Sequence, residues 1–299
     1  MQGVQCMKTG IIGLGAMGAN MALNLDKNGY LHAVWNRTAS KAEEIAEQTQ
    51  AKVAASPAEL ARECDVIITC VSRDEDVLDV INSLTEGITP GTIVVDTSTV
   101  NAETARQAAE ILREKDAHFL DSPVSGGVEG AKKGTLAMMA GGEEEILEKV
   151  RPVLSAIGDK ISYIGDSGSG QACKAVNQIM AAGINQAVTE ALAFGEFMGL
   201  NMDKVVDIVA TGAAGNWFLD HRGKSMLADN YTPGFKLGLH HKDLSICKAM
   251  LANRTDVTLP IVEMTLIHYQ RLMEAGYADE DISALFRLKR QQFRESGDM

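Results

Sequence analysis

Gly13-Leu14-Gly15-Ala16-Met17-Gly18 follows the apolar run Thr9 to Ile12 and opens a segment of helical periodicity from Ala16 to Lys27, stopped by Asn28-Gly29. Spaced glycines between a strand and a helix let backbone approach a pyrophosphate, whose charge is then favoured by unpaired N–H groups and the helix dipole. The next strand-like run, Leu31 to Trp35, ends in Asn36-Arg37-Thr38, where an acid would otherwise hold a ribose 2′-hydroxyl. Arg37 offers a fixed cation, and Asn36 and Thr38 offer donors. That set suits a 2′-phosphate, so NADP (NADPH) is the expected cofactor and NAD is less favoured. Glycine-rich turns also serve ordinary loops. Here the strand before, the helix after and the distance to the second strand favour the dinucleotide reading.

A second constellation, Ser125-Gly126-Gly127, can act as a backbone anion site: glycines allow consecutive N–H groups to point at a carboxylate, and Ser125 adds a hydroxyl. The same three residues also read as a plain turn after the strand ending at Asp121. Trp217 and Phe218 are candidate walls of a substrate pocket, with packing against a long helix as the alternative. His240-His241-Lys242-Asp243 gives no metal site, because adjacent histidines diverge by about 100° on a helix and no HExxH or carboxylate pair joins them. Glu143, Glu144 and Glu145 read as a solvated helix start, and Met138-Met139 as core.

The elements that must carry these groups come from the pattern of apolar residues. Strands are expected at Val66 to Cys70, Ile93 to Asp96, Ala117 to Asp121, Leu136 to Ala140 and Ile161 to Ile164, alternating with helix-period segments. Such alternation means an α/β fold with a doubly wound, mostly parallel sheet. After the cluster Gly165-Asp166-Ser167-Gly168-Ser169-Gly170 the strand signals fade, and helices are expected near 171–198, 202–210, 241–253, 258–275 and 281–293. Two domains follow from this, a nucleotide-binding one over 1–165 and an all-helical one over 166–299. The helix near 171–198 is apolar or small nearly all round. Such a face cannot be left to water, and burial against a second subunit is expected alongside its core role.

Composition narrows the partners. With 299 residues, 45% hydrophobic and 23% charged, the chain can bury sizeable cores, and its net charge of -12 argues against nucleic acid or an anionic membrane. An anionic substrate must then be met by local cations. The five cysteines (Cys6, Cys64, Cys70, Cys173, Cys247) are odd in number and lack CxxC spacing, so neither a disulfide framework nor zinc is suggested. Neither a signal peptide over Met1 to Lys8 nor a membrane-spanning apolar run is evident, which makes the cytoplasm the expected compartment.

Three further segments carry a family resemblance: Asp121-Ser122-Pro123-Val124-Ser125-Gly126-Gly127, Gly170-Gln171-Ala172-Cys173-Lys174-Ala175-Val176-Asn177 and Lys242-Asp243-Leu244. With the glycine turn, and in the same order along essentially the whole chain, they resemble the β-hydroxyacid dehydrogenase family, which includes 3-hydroxyisobutyrate dehydrogenase, tartronate semialdehyde reductase and glyoxylate/succinic semialdehyde reductase. The resemblance implies a Rossmann domain followed by a helical one, joined by the long helix, with subunits pairing through the helical parts as a homodimer or homotetramer. By the same resemblance Lys174 is the catalytic lysine. Hydride transfer to a carbonyl leaves an alkoxide that an ammonium can stabilise and protonate. Asn177, one turn on, shares its face. A lone lysine flanked by Ala and Val is otherwise a surface or snorkelling side chain. In the first turn of an apolar helix, though, its charge opposes the macrodipole by about a few tenths of a kcal/mol, an unfavourable placement unless function requires it.

The family positions further imply that Cys70-Val71-Ser72 lines the adenosine and pyrophosphate side, that Thr99 approaches the nicotinamide end, and that Lys242 contacts the cofactor as the domains close. Many relatives carry Leu-Pro where Cys70-Val71-Ser72 stands, a departure at that position. The expected activity is an NADP-preferring oxidoreductase acting on a small carboxylate-bearing β- or γ-hydroxyacid or its semialdehyde or oxo acid. An imine reductase of the same architecture, or a non-catalytic NADP-binding interaction module, is the alternative.

Overall fold

The computed structural model describes residues 7–252 and 256–295. Cys6 lies outside them, and the other four cysteines are free thiols. Two compact units divide the chain, Met1–Lys174 and Ala175–Met299.

The first unit is an α/β sheet assembly. Its elements in chain order are β1 (Thr9–Ile12), α1 (Gly18–Lys27), β2 (Leu31–Trp35), α2 (Ala39–Ala46), β3 (Lys52–Val53), α3 (Pro57–Glu63), β4 (Val66–Thr69), α4 (Asp74–Leu84) and β5 (Ile93–Asp96). There follow α5 (Ala102–Arg113), β6 (His118–Asp121), β7 (Val124–Ser125), α6 (Gly127–Lys133), β8 (Leu136–Gly141), α7 (Glu144–Leu154) and β9 (Gly158–Gly165). The strand order is β3-β2-β1-β4-β5-β6-β8-β7, with β9 added on β8. Pairing is parallel throughout except where β8 meets β6 and β7.

Period-2 alternation divides the apolar strand residues between two cores. Ile11, Val34, Val66, Ile68, Ile93 and Val95 pack with α1, α2, α6 and α7 on one face. Ile12, Ala33, Ile67 and Val94 pack with α3, α4 and α5 on the other. Helices on both faces explain why the strands read as continuous apolar runs. The expected strands all form: β5 keeps its expected ends, while β4 stops at Thr69, β6 begins at His118, β8 runs on to Gly141 and β9 extends over Gly158–Gly165. Two strands escape the pattern, β3 and β7, because two residues are too few for alternation to register.

The second unit is helical. α8 (Ser169–Phe197) begins in the first unit and contains the division; α9 (Met202–Ala210), α10 (Trp217–Leu227), α11 (Leu237–Ala249), α12 (Pro260–Glu274), a 3-10 turn (Ile282–Ala284) and α13 (Leu285–Glu295) follow. Ala182, Val188 and Leu192 of α8 meet Val206, Phe218, Leu219, Leu244, Val262, Tyr269, Leu285 and Phe286 in one core. No expectation covered α10, whose apolar spacing is weak and whose start depends on Asn216 accepting the Leu219 N–H at 2.9 Å. The long helix starts at Ser169 rather than 171, so Lys174 stands in its second turn. That weakens the dipole conflict expected of a first-turn lysine, since the effect falls off within one turn.

The glycine turn illustrates how tightly the first unit is closed. Gly13 holds φ +94°, and a Cβ there would sit 2.2 Å from the Cys70 carbonyl oxygen; at Gly18 a Cβ would sit 1.9 Å from the Gly13 oxygen. Both clashes are with backbone, which cannot rotate away. At Gly15 an added Cβ meets nothing within 4 Å. Chemical denaturation should therefore separate them: Gly18→Ala is expected to cost about 2 kcal/mol or more and Gly15→Ala less than about 1 kcal/mol, and equal losses would remove the close-approach account.

Candidate functional site

The loops at the carboxyl ends of the strands hold most of the residues singled out above, as is usual where strand order reverses in a doubly wound sheet. Here β1 lies between β2 and β4, and the glycine turn leaves β1 at that crossover. Gly13 donates its N–H to Trp35 at 3.0 Å, and Cys70 donates its own to Ile12 at 2.8 Å, which fixes the turn to both neighbouring strands. Leu14 donates its N–H to Asn36 Oδ1 at 2.9 Å, and the Asn36 amide donates to the Thr38 carbonyl at 2.9 Å. Asn36 thus staples the end of β2 to the glycine turn. Met17, at the amino end of α1, supplies no side-chain cap, and Gly15 and Ala16 are exposed. Arg37 is 84% exposed and reaches Asp76 Oδ1 at 2.9 Å. Thr38 is exposed at the start of α2.

At the end of β4, Cys70 and Val71 are half-buried and Ser72 is exposed. The Val71 N–H is accepted by Ser98 Oγ at 2.9 Å, and Ser98 in turn donates to the buried Asp96 carboxylate at 2.6 Å. This lacing fixes the loops after β4 and β5 together and leaves Thr99 half-buried beside them.

Lys174 is 7% exposed, and its Nζ donates to the Val124 carbonyl at 2.8 Å. Val124 and Ser125 form β7, so the ammonium lies one residue from Ser125-Gly126-Gly127. Gly126 and Gly127 hold φ +129° and +61°, a turn open to glycine and strained for other residues, and α6 starts there. What holds Lys174 in place was not legible in its neighbours. Asp121 Oδ1 accepts the Gly168 N–H at 2.8 Å and Oδ2 accepts the Gln171 N–H at 2.9 Å, capping the start of α8 from β6. Gln171 also donates to the Ser98 carbonyl at 2.9 Å and accepts the Val100 N–H at 3.1 Å. Burial pushes the Asp121 carboxyl up to about 6, against the pull of those two N–H groups on its ionised form. In the sequence Asp121 and Gln171 are only members of longer motifs, and their positioning roles need the three-dimensional pairing.

The helical unit places its own candidates on a second polar chain. The Asn177 amide donates to Gln178 Oε1 at 2.8 Å, Gln178 Nε2 donates to the buried Asp243 at 2.6 Å, and Lys242 pairs with Asp243 at 3.1 Å. Gln178 and Asp243 carry no signal in the sequence alone beyond adjacency to Asn177 and Lys242. Phe218 is buried in the helical core, while Trp217 is 61% exposed and stacks on His221 at 4.1 Å between ring centroids. Among the described residues no three His, Cys, Asp or Glu side chains gather to hold a metal, and no described helix is long and apolar enough to cross a membrane.

Known proteins match this chain over most of its length. Residues 8–165 match the NAD binding domain of 6-phosphogluconate dehydrogenase, and residues 168–289 match the NAD-binding domain of NADP-dependent 3-hydroxyisobutyrate dehydrogenase. Glyoxylate/succinic semialdehyde reductase 1 of Arabidopsis thaliana is 34% identical, over 93% of this chain and 97% of its own. NAD-dependent L-serine dehydrogenase of Pseudomonas aeruginosa is 33% identical, over 93% and 96%. The structure of Mycobacterium tuberculosis 3-hydroxyisobutyrate dehydrogenase with L-serine superposes with a TM-score of 0.88 at 31% identity, covering 96% of this chain and 100% of that one.

The raised carboxyl of Asp121 gives a signed pH dependence. Its contribution to stability is fully present below the ordinary value of 3.8 and is lost as pH rises through about 6, because the folded state holds the proton that the unfolded state releases. The stability difference between the native protein and Asp121→Asn is therefore largest near pH 4 and shrinks toward pH 7. Denaturation midpoints across that range that shift in parallel for both proteins would contradict it.

Proposed function

The chain belongs to the β-hydroxyacid dehydrogenase family, and from that premise we propose that it interconverts a small β- or γ-hydroxyacid and its semialdehyde or oxo acid, preferring NADP, with Lys174 moving the proton. That it is a nicotinamide-dependent dehydrogenase of the 3-hydroxyisobutyrate dehydrogenase type follows from its relatives. The finer reading rests chiefly on one observation: a buried ammonium, oriented by the Val124 carbonyl, next to a serine and two glycines able to receive a carboxylate.

The residues present fit a dinucleotide. Gly13 and Gly18 keep the turn closed, Gly15 leaves its outer side open, and the amino end of α1 has no side-chain cap, so a pyrophosphate would be met by backbone N–H groups. Gly13, Leu14, Gly15, Ala16, Met17 and Gly18 would hold that group, with Arg37 and Thr38 toward a 2′-phosphate and Cys70, Val71, Ser72, Thr99 and Lys242 as further contacts. Asn36 would act by shaping the turn, since its amide is spent on Leu14 and Thr38. Bound there, the cofactor supplies or accepts hydride. Ser125 and the Gly126 and Gly127 N–H groups would clamp the substrate carboxylate. Lys174 would give a proton to the alkoxide in reduction and take it back in oxidation, with Asn177 orienting the substrate hydroxyl. Trp217, 61% exposed, is the candidate wall, whereas Phe218 packs in the core.

An exposed apolar stripe on α8 supports self-association. Val176, Met180 and Ile184 recur every fourth residue, and all three are exposed, Met180 by 61%. A second copy of the chain, in a homodimer or homotetramer, is the partner we assign to it. Met180→Glu should lower the molar mass in light scattering to that of a smaller assembly, and an unchanged mass would redirect attention to another face.

Two substitutions test the chemistry. Lys174→Ala is expected to lower kcat by about a thousandfold with NADPH affinity nearly intact, and turnover within about tenfold of the parent would take Lys174 out of the mechanism. Arg37→Ala should reduce kcat/KM for NADPH by about ten- to a hundredfold while sparing NADH, and an unchanged ratio of the two would reject Arg37 as the selector.

A further inference from the structure

His240 is fully buried in the helical unit, and both its ring nitrogens are engaged. Nε2 lies 3.2 Å from the Gln178 carbonyl oxygen, and Nδ1 lies 3.0 Å from the Tyr269 hydroxyl. Tyr269 is equally buried and receives the Asn185 amide at 2.9 Å; the same amide nitrogen donates to the Ile282 carbonyl at 2.8 Å. The chemistry of the end groups fixes the direction of the chain. A carbonyl can only accept, so Nε2 carries a proton, and a neutral ring so arranged takes the Tyr269 O–H on Nδ1. Burial pushes the Tyr269 hydroxyl well up, which keeps it a donor.

The relay ends on the residue that organises the candidate site. Gln178 accepts from His240 through its backbone carbonyl, from Asn177 through its side-chain oxygen, and donates to Asp243, which pairs with Lys242. His240 and Asp243 are one turn apart on α11, so two bonds at i and i+3 clamp that helix to a single residue of α8. One bond alone would leave rotation about it. Two fix the register of α11 on α8, and with it the relative placement of Asn177 and Lys242.

We propose that His240, set by Tyr269 and Asn185, is a positioning residue for the reaction, holding Gln178 and α11 so that Asn177 and Lys242 keep their working geometry. This rests on the hydroxyacid reading above and assigns a role to a buried polar chain that reading does not use. No bond is made or broken in it.

The test compares His240→Leu, Tyr269→Phe and His240→Gln, the last able to donate an amide N–H to the Gln178 carbonyl. Kinetics with a short-chain semialdehyde panel and NADPH are run well below each variant's Tm and normalised to folded enzyme. His240→Leu is expected to lower kcat by about tenfold or more, Tyr269→Phe by less, and His240→Gln to recover most of the loss. A merely structural role would lower Tm in all three and leave normalised kcat at the parent level, which overturns the proposal. A second readout needs no turnover: amide hydrogen exchange over residues 176–182 and 238–246 should accelerate in His240→Leu and not in His240→Gln, and protection unchanged in His240→Leu also overturns it. Lys174→Ala assayed in parallel separates the two readings, since a fully active Lys174→Ala would remove the hydroxyacid mechanism while the exchange result still decides whether His240 clamps Gln178.

Discussion

The placement of Lys174 depends on a carboxylate that is fifty-three residues away in the chain. Asp121 closes the start of α8 by accepting the N–H of Gly168, just before the helix, and that of Gln171 within it, and Gln171 ties the same turn to the loop after β5. Helix starts leave four N–H groups without intrahelical partners, and an acid at that end is doubly favoured by hydrogen bonding and by the dipole. Burial opposes its ionisation, and the balance leaves a carboxyl titrating near 6. The helix therefore cannot slide or turn at its base without exposing that carboxyl, and the bond from Lys174 to Val124 inherits this rigidity. A flexible four-carbon side chain becomes a fixed ammonium.

The same economy of means shapes the nucleotide end. Asn36 spends its amide on Leu14 and Thr38 instead of leaving it for a ligand, so the turn proposed to receive a pyrophosphate is braced by the end of β2. Preorganised donors lose less on binding than donors that must first be ordered. The lacing of Val71, Ser98 and Asp96 does the corresponding work after β4 and β5.

The doubly wound sheet, the helical second half and the glycine turn could all be read from local signals: β-branched runs buried on both faces, glycines at fixed offsets, and long apolar helices. What escaped reading lacks a local signal. β3 and β7 are too short to show a period, and α10 is started by an asparagine cap but has little amphipathic contrast. The start of α8 was placed two residues late because its cap sits in β6, not beside it. In the site, Arg37 and the glycines stood out by type and spacing and Lys174 by the family resemblance, while Asp121 and Gln171, which cap the helix that carries Lys174, and Gln178, which bonds Asn177 and Asp243, are ordinary until their partners from distant segments are known. Positioning is a pairwise property, and a single sequence records pairs poorly.

Charge supplies the last step. A chain of net charge -12 must draw an anionic ligand with local cations, and the way each cation is held bears on what it can do. The Val124 carbonyl orients Lys174. Arg37 instead shares its charge with Asp76 at the surface, where such a pair contributes about 0–1 kcal/mol. On the NADP reading proposed above, a phosphate that carries more charge and accepts from both arms of the guanidinium would displace so weak a partner. Asp76 would then serve as a placeholder that keeps Arg37 at the end of β2 until a stronger anion takes its place, and the exposed guanidinium needs no rearrangement of the fold to meet it.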